Sequence, residues 1–337
     1  MRFICGGLSS AAALALAAIQ VSGQVADQGA ALAALQRQDA SVASAGFRLA
    51  QANLGLCGNR GFLAGITPHY LNQYDAAFRE TAGRQFQLKA LPSVLAVAAG
   101  SPAERAGLRA DDRLLAVDGQ PFSTAQARGD TGSFADTEQA LDLIDRAAAD
   151  GKLVVRIERA GAASDIPVQL PQGCRSRFQV VPGDTLKAQA DGDYVQISAG
   201  LVTFARSDGE LASVLAHELA HNILRHRVTL ERQGALKQGL FGPGARNARL
   251  IRATEIEADR LSPYLMAKAG YDPRDAVRYW MRHGAERGDR WFRTGTHPRW
   301  RERVGLIETE VARIETARVG SEEIRVPADL TPAARTP

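Results

Sequence analysis

Residues 213–226 read SVLAHELAHNILRH, and they constrain the chain more than any other stretch. His217 and His221 are four apart, so on a helix their imidazoles stand one turn apart on one face, within reach of a single ion. The apolar neighbours Val214, Leu215 and Leu219 predict that this helix is buried rather than solvated. Glu218, the next residue round from His217, can accept a proton from an activated water without being a ligand. A catalytic zinc takes three protein ligands and keeps a fourth position open, so the fold must bring a third ligand opposite this helix. His226 is badly placed for it. On a continuing helix it lies about 180° round from His217, and no glycine between His221 and His226 turns the chain. It reads as a solvated or structural histidine.

The stretch TEIEADR at 254–260 supplies better candidates. Glu255 and Asp259 are four apart and share a helical face, whereas Glu257 is about 200° away from Glu255 and points elsewhere. Glu255 can therefore complete a metal site while Asp259 orients a ligand histidine from behind. On this phase argument metal affinity should depend on Glu255 and not on Glu257. Alone, an acidic stretch of this kind is a solvated face; opposite an unpartnered histidine pair it reads as a ligand source.

Around this centre the chain divides into segments. Residues 1–23 have the form of a secretory signal: Arg2, then a short apolar run, then small residues for cleavage near Gly23. A retained anchor helix is the alternative. Residues 24–90 begin with a helix, in which Leu32, Leu35, Val42, Leu49 and Leu56 recur at three-, four- and seven-residue steps. Residues 91–172 alternate strands and a helix, with Asp118-Gly119 as a turn and Gly151 as a helix stop. Residues 173–318 hold a strand at 193–198, then the motif helix capped by Ser207 with Glu210 three residues on, then two further helices, the second capped by Asp272. Residues 231–247 read as a mobile loop and 319–337 as a disordered tail. Net charge is +4, with both signs mixed along the chain, which argues against a nucleic-acid partner.

Two resemblances follow from these motifs. The run Gly100-Ser101-Pro102-Ala103 to Ala106-Gly107-Leu108, with Asp111-Asp112 and Val117-Asp118-Gly119, resembles a PDZ domain of the bacterial protease-associated type. HELAH followed by Glu255 and Asp259, then Thr296-His297-Pro298, resembles the HtpX/CAAX-prenyl-protease type of zinc metallopeptidase, peptidase family M48, in its soluble exported branch. The resemblance implies His217, His221 and Glu255 as ligands of one Zn2+ per chain, Glu218 as general base and Asp259 behind a ligand. It also implies that His297 and Arg303 approach the site, to steady an oxyanion or, for His297, to cap the open metal position. The implied fold is α+β: a mostly helical zincin-type peptidase domain with a small edge sheet and an inserted β-rich PDZ-like domain, the first helix packing on the peptidase domain.

PDZ folds bring their ends together, so Cys57 and Cys174 are expected to be bonded, as suits an exported chain. The expected function is cleavage of polypeptides, among them unfolded or misfolded envelope proteins, most naturally in a bacterial periplasm. The strand at 193–198 is expected to pair with substrate and the PDZ-like unit to aid selection. A chaperone-like binding protein with a latent, capped zinc site is the alternative. Peripheral membrane association and oligomeric state stay open. Two departures from the family stand out. LKAQA at 186–190 lies where asparagine is common, and Pro263 should kink the helix that carries Glu255.

Overall fold

The computed structural model describes residues 10–126, 129–235, 245–288 and 296–331. The signal call falls partly on residues 1–9, outside the described residues, and the centre of the loop call, 236–244, also lies outside them. Helix α1 spans Ser10–Ala52, and no described helix is long and apolar enough to cross a membrane.

After α1 the chain makes β1 (Arg60–Phe62), β2 (Ile66–His69) and α2 (Ala76–Gln85), then β3 (Ser93–Val97), α3 (Pro102–Arg105), β4 (Arg113–Val117) and β5 (Gln120–Pro121). Helix α4 (Ala135–Ala147) precedes the hairpin β6 (Lys152–Arg159) and β7 (Ala162–Gln169). Strands β2-β3-β4-β6-β7 form one antiparallel sheet, with β5 folded back on β4. This sheet takes its first strand, β2, from the stretch ahead of residue 91. Asp118 and Gly119 both have positive φ, 45° and 76°, the turn that the Asp-Gly pair favours. Ile66, Val94, Leu114, Val155, Ile157 and Val168 fill the core under α4.

Strand β8 (Gln172–Cys174) leaves this sheet and pairs antiparallel with β1, setting Arg60 opposite Cys174. Cys57 and Cys174 are disulfide-bonded beside that ladder, with Cα atoms 5.4 Å apart. The two chain crossings at the base of the β unit are thus fastened twice.

A second sheet follows: β9 (Arg177–Val181), β10 (Ala188–Ala190) and β11 (Tyr194–Ser198), in the order β10-β11-β9. Strands β9 and β11 are parallel, β10 and β11 antiparallel. Then come α5 (Ala199–Phe204), α6 (Asp208–Ile223), α7 (His226–Arg232), α8 (Ala245–Lys268), α9 (Arg274–Arg287) and α10 (Trp300–Val319). Helix α6 is buried on nearly every side, as its apolar sequence demands, and the other helices pack around it. Ser207 caps it by accepting from the Glu210 N–H at 3.1 Å. The Glu210 carboxylate does not close the box on Ser207 but accepts from the Arg206 N–H and takes both ends of the Arg282 guanidinium, tying α6 to α9.

Helix α1 joins both halves. Val42, Ala45 and Leu49 enter the core of the α6 bundle, while Gln36 donates to the Leu95 carbonyl and Ser44 accepts from the Ala99 N–H of the β2-β3-β4-β6-β7 unit. Gly46 lies flat against Phe178 of β9; a Cβ there would stand 2.3 Å from the ring.

The expectation of disorder from residue 319 is corrected for the described part of the tail. Leu330 is 1% exposed in the main core, and Asp329 pairs with Arg260 at 2.6 Å. Ile324 and Val326 pack against the helices as well, so a few apolar contacts and an ion pair hold a stretch whose composition is polar. At Pro263 helix α8 continues without interruption to Lys268, and the Ser262 hydroxyl donates to the Asp259 carbonyl at 3.3 Å, the acceptor that proline leaves without its N–H.

Candidate metal centre

Helix α6 presents His217 and His221 to the face of α8 that carries Glu255 and Asp259. The Nε2 atoms of the two histidines lie 3.2 Å apart. Glu255 reaches His217 Nε2 with Oε2 at 3.5 Å and His221 Nε2 with Oε1 at 3.4 Å. One donor atom from each of the three residues falls within 4.8 Å of the others, close enough to share one ion. All three are buried or nearly so. Arg303 pairs with Glu255 and Asp259, and Glu218 lines the same cavity, an acidic surrounding that would favour a divalent cation. The donor set of two imidazoles and a carboxylate suits zinc.

Behind these atoms, His217 Nδ1 stands 3.0 Å from Asp259 Oδ1. Arg303, from the first turn of α10, is 3% exposed. It donates through Nε to Asp259 and through Nη2 to Glu255, each at 2.8 Å, and its guanidinium lies 4.0 Å above the Trp280 ring. Trp280 also packs edge-on against His217. His297 brings Nε2 to 3.5 Å from Glu255 Oε2, and its Nδ1 is 2.9 Å from the Thr296 hydroxyl. His217, Glu218, His221, His297 and Arg303 line one cavity of about 300 Å³, whose wall includes Ala188–Ala190 of β10.

Burial pushes the Glu218 carboxyl up to about 7, with Glu255 and Asp259 adding to it and His217 and Arg303 opposing. A carboxylate in that range is a base matched to neutral pH. Burial holds His221 well below its usual value, in the neutral form that a metal requires. Burial alone would raise Glu255, but His217, His221 and His297 outweigh it and hold its carboxyl well below the ordinary range.

The sequence did not reveal His226 as part of this region. It is 1% exposed and so not solvated. Helix α6 stops at Ile223, and Arg225 takes a left-handed conformation, φ 55° and ψ 39°, with no glycine to ease it. The chain turns there, and His226 comes back against the motif face with Nδ1 2.9 Å from His221 Nδ1. Its Nε2 is 2.9 Å from Glu257 Oε2.

The profile of peptidase family M48 matches residues 162–245 and 245–311, and that of the PDZ domain matches residues 93–159. The chain carries a family M48 peptidase domain and a PDZ domain. A putative beta-barrel assembly-enhancing protease of Vibrio cholerae is 32% identical over 118 residues, 27% of this chain and 24% of that protein. The mitochondrial metalloendopeptidase OMA1 of Schizosaccharomyces pombe is 29% identical over 138 residues, 35% of this chain and 41% of the relative. Its Arabidopsis thaliana counterpart is 31% identical over 133 residues, 34% and 27%. The chain thus spans less than half the length of the curated relatives it matches.

Proposed function

We propose that this protein is a zinc-dependent endopeptidase that cuts exposed segments of exported or misfolded envelope polypeptides, with Glu218 as its base. The observation that carries the reading is the convergence of His217, His221 and Glu255 in the same cavity as a buried Glu218 whose carboxyl titrates near neutrality. His217 and His221 would hold the ion through Nε2 and Glu255 through its carboxylate. When bound, zinc supplies Lewis acidity toward water and the scissile carbonyl. Glu218 takes the proton from the attacking water and hands it to the leaving amine.

Arg303 spends both of its bonds on Glu255 and Asp259, so it holds the ligand carboxylate in place rather than meeting an oxyanion. The oxyanion role falls to His297, the remaining candidate on the cavity wall. Strand β11, the segment expected to pair with substrate, cannot do so because β10 and β9 occupy both its edges. Among the described residues the outer edge of β10 has no strand partner, and its residues line the cavity, so substrate backbone adds there. The PDZ unit selects substrates through a chain end or an exposed strand, and the Vibrio relative is named for enhancing beta-barrel assembly, a role among folding polypeptides.

The nearness of His297 to Glu255 favours a second reading, a resting form in which His297 caps the metal and the protein holds clients without cutting them. Incubation of the purified protein with zinc and unfolded casein separates the two. Fragments that disappear with chelator and in Glu218→Gln are expected. Intact casein, kept from aggregating, would replace the peptidase reading with the chaperone one.

A further inference from the structure

We infer that Glu257 and His226 form a positioning relay that fixes the proton on His221 Nδ1 and so turns the His221 Nε2 lone pair toward the metal. The inference rests on the metal site proposed above and extends it by two residues that helical phase alone had excluded.

The two ligand histidines are backed differently. His217 has a carboxylate directly behind it, Asp259 Oδ1 at 3.0 Å from Nδ1. His221 has instead a second imidazole, His226 Nδ1 at 2.9 Å from its own Nδ1. Between two neutral imidazoles only one of those nitrogens can carry the hydrogen, and the pair by itself has no preferred direction. Glu257 supplies the preference. Its carboxylate only accepts, and it lies 2.9 Å from His226 Nε2, so the His226 hydrogen belongs on Nε2. His226 Nδ1 is then an acceptor, and His221 must donate through Nδ1–H. His221 Nε2 is left with its lone pair, 3.4 Å from Glu255 Oε1 and 3.2 Å from His217 Nε2, where the ion would sit. In the opposite arrangement His226 Nε2 would face the Glu257 carboxylate as a second acceptor, and His221 Nε2 would carry a hydrogen into the metal position.

Local geometry supports a built arrangement. The left-handed Arg225, a conformation disfavoured for a residue with a Cβ, aims His226 back at the motif helix. His226 is fully enclosed, whereas the Glu257 side chain keeps 32% of its surface. The chain of contacts therefore runs from the buried ligand out to a partly solvated carboxylate. Groups that orient a metal-bound histidine in this way are worth about 10- to 100-fold in metal affinity.

The test uses the full chain with zinc ion as the probe. Affinity is read by competition with a chromophoric chelator, and the His221 tautomer by nitrogen NMR of histidine-labelled, metal-free protein. We expect the Nδ1–H form of His221 in the wild type. His226→Leu removes the acceptor and should weaken zinc binding by about 10- to 100-fold while His221 becomes a tautomer mixture. His226→Asn places a carbonyl oxygen near the lost Nδ1 and should restore most of the affinity. Glu257→Leu should cost about 10-fold, and Glu257→Gln, which keeps an acceptor, less.

A space-filling role for His226 predicts equal losses for the Leu and Asn variants. Equal losses, unchanged affinity in His226→Leu, or an Nε2–H His221 in the metal-free wild type would each overturn the relay. If Glu255→Ala binds zinc as tightly as the wild type, the ligand assignment fails instead, and the tautomer measured without metal still decides the relay.

Discussion

Replacing both Cys57 and Cys174 by alanine should destabilise the chain in one transition and leave another alone. The bond closes a loop with a sequence separation of 117, for which chain entropy gives about 5 kcal/mol. That stabilisation exists only in a transition that unfolds the loop itself, residues 58–173, which contains the PDZ sheet. If the α6 bundle opens while the sheet stays folded, the bond constrains nothing that has become free, and its removal costs almost nothing. The chain provides separate probes. Its three tryptophans, Trp280, Trp291 and Trp300, all lie in the peptidase half, while Tyr70 and Tyr74 lie beside the PDZ sheet. Urea unfolding should be followed by tryptophan fluorescence and by far-ultraviolet circular dichroism. With a urea slope of about 2.5 kcal/mol/M, the transition that unfolds the sheet should move down by about 2 M in the double variant. The tryptophan transition should move as far only if the two halves unfold together. Two free thiols in the denatured, unreduced wild type, or an unmoved sheet transition in the double variant, would refute the reasoning.

Three further outcomes are expected. Glu218→Gln should keep one zinc per chain by metal analysis yet lose about 100-fold or more in cleavage, because the carboxylate is a base and not a ligand; loss of the metal would move Glu218 into the ligand set. Asp39, in the wall of the cavity between α1 and the PDZ unit, accepts from the Val180 N–H, and burial pushes its carboxyl from 3.8 up to about 7. The folded state then holds a proton that the unfolded chain has released, so this stability is complete below about pH 4 and lost as pH rises through about 7. Partial exposure to the cavity halves the full linkage, so Asp39→Asn should gain about 2 kcal/mol over wild type at pH 8 and nothing at pH 4 in urea titrations; an equal gain at both pH values would remove the titration argument. Leu330→Ala should cost about 2 to 3 kcal/mol in thermal unfolding, since the side chain is 1% exposed in the main core; an unchanged melting temperature would show that the tail is not anchored there.

Much of the site was legible because it is local. The spacing of His217 and His221, and of Glu255 and Asp259, sets helical faces without help from the rest of the chain. What could not be read depends on contacts far apart in sequence. Nothing near Arg225 announces a left-handed residue, since the usual glycine is absent and the bundle imposes the turn. The partners His226 and Glu257 are 31 residues apart, and helical phase gave the direction of Glu257 without what it meets. The strand expected at 193–198 forms at Tyr194–Ser198, whereas β10 is three residues long and lacks a pattern. Its edge position follows only from the sheet order. The tail gave no periodic signal because its anchors, Ile324, Val326 and Leu330, follow neither a helical nor a strand repeat.

The place of α1 has a consequence for synthesis. The ribosome delivers this helix before the elements that cover it: Val42, Ala45 and Leu49 share a core with β9 and α6, which arrive well over a hundred residues later. The sheet between them is complete in sequence by residue 174 and can close before α6 is available, whereas the cysteines bond only once the chain reaches an oxidising compartment. For the interval until α6 appears, the nascent chain carries a finished PDZ sheet beside an uncovered apolar helix face. During that window a holding partner would matter most, and the peptidase half cannot yet act on its own chain.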